Sequence, residues 1–115
     1  MAAGPVARPN APGDVRFHVI DSLDHPHGGR ILRLRLDEGN PPTLKELKGA
    51  TLKLLSAEAG SEALVRVDGF ALFGGTPSDE RIRQAGRVDV HVFPEDPETD
   101  LSLVDAAWNA FLSPR

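Results

Sequence analysis

Apolar and polar residues alternate with period two along much of the chain, the pattern of strands with one face buried and the other in water. In Val15-Arg16-Phe17-His18-Val19-Ile20, Val15, Phe17 and Val19 share one face while Arg16 and His18 share the other. Arg30 to Leu36 puts Leu32, Leu34 and Leu36 inward and Ile31, Arg33 and Arg35 outward. A one-residue slip there would bury two arginines, so its pairing is strongly specified. Ala50 to Ser56 offers Leu52 and Leu54 as an inward pair with Lys53 outward. The most regular stretch, Glu62 to Val92, aligns Val65, Val67, Val88, Val90 and Val92 on one face and Arg66, Asp68, Arg87, Asp89 and His91 on the other. Between its two strands, Gly69 to Gly75 carries glycines at both ends and reads as a bent strand at a barrel corner.

The connections follow from turn chemistry. Asp21 to Gly29, with Pro26 and two adjacent glycines, reads as a loop, and Gly39-Asn40-Pro41-Pro42 stops the second strand. Thr43 to Lys48 predicts a single helical turn, Ala57-Glu58-Ala59-Gly60 a hairpin connection, and Thr76 to Gln84 a helical turn capped by Thr76 or Ser78. Pro94 and Pro97 end the sheet. Beyond them Leu101, Val104, Trp108, Phe111 and Leu112 fall at helical spacing, predicting a helix from Asp100 to Leu112 capped by Thr99 or Asp100. The fold class expected is mainly β: a small closed antiparallel β-barrel with a C-terminal α-helix, a two-sheet sandwich being the alternative. The organisation expected is a flexible leader over 1–13, the barrel over 14–93, and an acidic linker with the helix over 94–115.

Composition narrows the picture. A chain of 115 residues suits one domain, and the absence of cysteine excludes disulfides, zinc-thiolate sites and thiol nucleophiles. No apolar run approaches the roughly 20 residues that span a bilayer, and the N-terminal residues lack the pattern of a signal peptide, so a soluble cytoplasmic protein is expected. The net charge of −4 is supplied by residues 94–115, where Glu95, Asp96, Glu98, Asp100 and Asp105 face only Arg115. That balance argues against a free-standing nucleic-acid binder while leaving room for a local basic patch.

Candidate chemistry is sparse. His25 and His27, with Asp21 and Asp24, are the candidate metal ligands, because imidazole and carboxylate donors share one loop; exposed loop histidines are the competing reading. His18 and His91 occupy outward strand positions where a neighbouring carboxylate would tune their titration. Arg33, Arg35, Lys53 and Arg66 all project outward and, if adjacent, would hold phosphate or carboxylate groups, unless Asp37, Asp68 and Asp89 consume their charge in cross-strand pairs. No serine lies in a Gly-x-Ser-x-Gly elbow and no Gly-x-x-x-x-Gly-Lys cradle exists; Gly74-Gly75-Thr76-Pro77 reads as a turn. No catalytic residue and no cofactor is assigned. Trp108 and Phe111 on the predicted helix are candidate partner contacts, the helix either plugging its own barrel or docking on another chain, which leaves the oligomeric state open.

The order Phe17-His18-Val19, then Gly28-Gly29-Arg30 entering Ile31 to Leu36, then Leu47-Lys48-Gly49-Ala50 entering Thr51 to Leu54, with Ala85-Gly86-Arg87-Val88 as the last turn, resembles domain II of translation elongation-factor GTPases. The likeness covers roughly residues 17–92, and the departures expected from that family are the lack of an attached nucleotide-binding domain and the presence of a C-terminal helix. A closed barrel is the fold the resemblance implies. The function expected is a non-enzymatic binding or interaction module with a protein partner. The alternatives are a metal-binding protein or small enzyme using the His25/His27 loop, and a nucleic-acid-binding barrel using the arginine face.

Overall fold

The computed structural model describes residues 15–56, 60–71, 76–106 and 108–112. The expected leader, most of the Ala57 to Gly60 connection and the Leu72 to Gly75 glycine run lie outside the described residues.

Six strands form the sheet: β1 (Arg16–Asp24), β2 (Arg30–Glu38), β3 (Thr51–Ser56), β4 (Glu62–Phe70), β5 (Arg87–Pro94) and β6 (Trp108–Leu112). They close into an antiparallel barrel in the order β1-β2-β5-β4-β3-β6, with β6 returning to β1. Two short α-helices lie among the described residues, α1 (Leu44–Leu47) between β2 and β3 and α2 (Asp79–Ala85) between β4 and β5. Neither is long and apolar enough to cross a membrane.

The alternation sets which side chains fill the barrel. Phe17, Val19, Leu32, Leu34, Leu52, Leu54, Val65, Val67, Val90 and Val92 are all at most 1% exposed and form one cluster. Each such burial contributes about 1.5 to 3 kcal/mol before the entropy of ordering is counted. Leu47 of α1 and Ile82 of α2 join the cluster from the connections, as do Leu101 and Val104 from the segment after β5. Both helices are fixed by their first turns. Thr43 and Glu46 form a capping box on α1, and the Ser78 hydroxyl accepts the Arg81 N–H on α2. Of the two caps considered for α2, Ser78 is the one used. Gly86 ends α2 in the left-handed region at φ 68°, and its carbonyl accepts the Leu36 N–H, joining the helix end to β2.

Four expectations change. First, the residues from Asp100 to Leu112 are not a helix. Asp100 caps a 3-10 turn over Leu101–Leu103, and Trp108–Leu112 is the strand that closes the barrel. The run Trp108-Asn109-Ala110-Phe111-Leu112 satisfies period two as well as helical spacing, and pairing with β1 on one side and β3 on the other satisfies two otherwise open edges. Trp108 and Phe111 therefore do not share a stripe: Trp108 is in the core, while Phe111 stands opposite Arg16 and Lys53 on the outside. Second, the barrel extends beyond residue 93, because β6 belongs to it. Third, β1 continues through Asp21 to Asp24, which reads as loop by composition, because a register shift between Val19 and Asp21 lets the strand absorb one extra residue. Fourth, Ile31 faces outward yet is only 5% exposed, beside Leu23 and His91 on the neighbouring strands.

Candidate functional site

The outer wall of β1, β2 and β5 carries two adjacent cross-strand rows of opposite character. In one, Asp21, Arg33 and Asp89 stand opposite one another, so that charge alternates across three strands. Arg33 Nε donates to Asp89 Oδ1 at 3.3 Å. In the next, His18, Arg35 and Arg87 stand opposite one another, with no carboxylate among them. Like charges directly across a ladder repel, so this row is held against its own electrostatics. Among the described residues neither Arg35 nor Arg87 makes an ion pair.

Helix α2 borders this row. Ile82 is buried while Arg81, one position earlier, is exposed; both line a cleft of about 120 Å³ with Arg33, Arg87, Asp89, Ser78, Ile20, Ala71, Pro77 and Val88. The lining is mixed: Ile20, Leu34, Ala71, Pro77 and Ile82 supply apolar surface beside the polar side chains of Arg33, Arg81, Arg87, Asp89 and Ser78. The acidic residues of α2 are engaged elsewhere: Asp79 accepts the Leu44 N–H at 2.7 Å and Glu80 accepts the Gln84 amide at 3.1 Å. Asp37, expected to neutralise the arginine face, instead accepts from Arg16 at 2.8 Å.

The four expected basic residues do not form one patch. Arg33 and Arg35 are on β2, Arg66 is on β4, and Lys53 is on β3, three strands from β2 in either direction round a six-stranded barrel. Lys53 is thus on the opposite wall, 3.5 Å from Glu62. Arg87 and Arg81 take their places. Arg87 was visible as an outward residue, but only the β2–β5 register sets it against Arg35.

The expected metal ligands also separate. Asp24 pairs with Arg30 at the barrel mouth, and Asp21 Oδ1 accepts the Ser22 N–H at 2.8 Å. Among the described residues no three histidine, aspartate or glutamate side chains gather to hold a metal ion. The loop histidines have a structural part instead. His25 Nδ1 accepts the His27 N–H at 3.0 Å, and its ring stacks on His91 with centroids 3.6 Å apart and planes 10° apart. His91 Nε2 donates to the Gly28 carbonyl at 2.8 Å, which fixes that tautomer, and its Nδ1 lies 3.9 Å from Asp68. Sequence alone pairs His25 with His27; the stacking partner comes from β5, 66 positions away.

This packing favours the neutral His25 ring. Desolvation holds its pKa below the usual 6.5, the charges of His91 and His27 act in the same direction, and Asp68 acts in the opposite one. Protonation would also remove the acceptor used by His27. A group whose folded pKa is depressed in this way, and which is neutral when deprotonated, takes up its proton more readily in the unfolded chain. Its contribution to stability is therefore complete above the usual value and is lost as pH falls through the depressed one. The expected result is that the His25 ring resonances titrate below 6.5 in NMR and that melting temperature declines across the same interval; a His25 midpoint at or above 6.5 would contradict it.

No family model, curated protein or solved structure matches the chain.

Proposed function

We propose that this is a non-enzymatic binding module, acting in the cytoplasm, that docks an anionic protein partner on the wall formed by β2, β5 and α2. The observation that carries the reading is the His18, Arg35 and Arg87 row, in which two arginines are set against each other without a carboxylate. Arginine is suited to this because its planar fork meets carboxylate and phosphate groups with two parallel bonds. The cleft supports binding rather than chemistry: its Asp89 carboxylate is engaged with Arg33 and its Ser78 hydroxyl caps α2, so neither is poised as base or nucleophile. Descent from a domain II-type translation barrel belongs to the same proposal, supported by closure in six strands and by Gly86 turning the chain into β5.

A protein partner is favoured over nucleic acid by the net charge of −4 and by the absence of an exposed aromatic residue in the cationic row for bases to stack on. Titrating the isotope-labelled protein with poly-glutamate at low ionic strength is expected to shift the amide resonances of Arg35, Arg81 and Arg87, and to lose that effect as salt is added. Unmoved resonances on this wall, or shifts centred on Lys53 and Leu64 instead, would refute the reading.

A further inference from the structure

Resting on that reading of the wall, we infer that the ligand is an acidic peptide segment carrying one short apolar side chain, which seats in the cleft between α2 and β5 while flanking carboxylates pair with Arg35, Arg81 and Arg87. Two independent features meet at this place. The exposed guanidinium groups of Arg35 and Arg87 make no ion pair among the described residues and are open to an anion, and the cleft beside them is lined by the half-buried Ile20, Ala71 and Pro77.

Size decides what fits. At about 120 Å³ the cleft falls well short of the roughly 300 Å³ at which small-molecule pockets begin. That size is matched to a single seated side chain. Geometry agrees with an extended peptide. Neighbouring strands are about 4.8 Å apart, so Arg35 and Arg87 sit at that spacing across the wall, and alternate residues of an extended chain lie about 6.7 Å apart on one face. Arginine side chains bridge that difference easily. A peptide with carboxylates on either side of a leucine or valine thus meets charge with charge and places its apolar residue against Ile20, Ala71 and Pro77.

The probe is a fluorescein-labelled peptide of alternating glutamate and glycine with one central leucine, read by anisotropy at low ionic strength. The wild-type protein is expected to bind it about tenfold more tightly than the same peptide with serine in place of leucine, from the apolar area removed from water. Ala71→Leu, which fills the cleft and leaves every charge in place, should erase that preference while the serine peptide binds as before. Arg87→Glu should weaken both peptides about tenfold or more, since it reverses a central charge. Its melting temperature should hold or rise, because the variant replaces a cross-strand repulsion with an Arg35–Glu pair and the fold remains intact. Equal binding of the two peptides by the wild type would overturn the seated side chain; if both still depended on Arg87, the anion-binding wall would stand. Equal binding by wild type and Arg87→Glu, or tighter binding of an oligouridylate of matched charge than of the leucine peptide, would overturn the inference outright.

Discussion

Trp108→Ala is expected to remove about 3 to 5 kcal/mol of stability, the range for truncating a buried aromatic residue. Trp108 is 7% exposed and packs in the barrel core from β6, the strand that joins β3 to β1. For a chain whose total stability is of the order of 5 to 15 kcal/mol, that is a large fraction. It corresponds to a fall in melting temperature of roughly 12 to 20 °C at about 4 °C per kcal/mol. Denaturation followed by circular dichroism at two protein concentrations is the measurement, and the loss should be the same at both because the contacts are intramolecular. Phe111→Ala should lose far less, since Phe111 is on the outer wall and only partly buried. Equal effects from the two substitutions would mean that both residues share one packed face, the helical arrangement that β6 replaces.

The second large effect is expected at Gly29, where the β1–β2 turn meets β5. Its φ is +73°, a region that L side chains rarely adopt, and a Cβ built there would sit 2.4 Å from the Val92 carbonyl and 3.1 Å from the Phe93 ring. The turn is also tied by the Gly28 N–H to His25 carbonyl bond and by His91 to the Gly28 carbonyl. Left-handed backbone strain of about 1 to 2 kcal/mol adds to an overpacking penalty of about 1 to 3 kcal/mol. Gly29→Ala should therefore lose about 2 to 5 kcal/mol in the same denaturation experiment, and the His25–His91 stack should loosen, read as a His25 titration nearer its ordinary value. Gly60→Ala is the control: its φ is +68° but nothing lies within 4 Å of the added carbon, so only the strain remains. A Gly29→Ala protein no less stable than Gly60→Ala would show that the turn does not press on β5.

Five of the six strands were legible because alternation persists over six or more residues in each, long enough to exclude a helical period. β6 was not, because five residues with Trp108, Phe111 and Leu112 among them fit either period, and what selects the strand is the presence of two edges, β1 and β3, that are remote in sequence. The caps of α1 and α2 could be read because Thr43, Glu46 and Ser78 act on residues three positions away. Outwardness of Arg33, Arg35 and Arg87 could be read for the same local reason. Which arginine meets a carboxylate and which meets another arginine could not, since that depends on β5 lying between β2 and β4 and on a register that sets Arg33 against Asp89 and Arg35 against Arg87. The histidines show the same limit: His25 and His27 are neighbours in sequence, and their stacking partner His91 arrives from the far end of the fold.

The position of β6 between β1 and β3 has a consequence for synthesis. Roughly 50 residues separate Ser56 at the end of β3 from Trp108, and at about 5 to 20 residues per second the ribosome needs roughly 3 to 10 s to deliver them. During that interval β4 and β5 emerge and pair, but β1 and β3 each keep an unpaired edge that accepts any extended backbone. Neighbouring nascent chains on one message present the same edges and, later, the same closing segment. The barrel is sealed correctly only when a chain's own residues 108–112 reach the gap before another chain's do, so strand exchange between copies is the characteristic error of this topology.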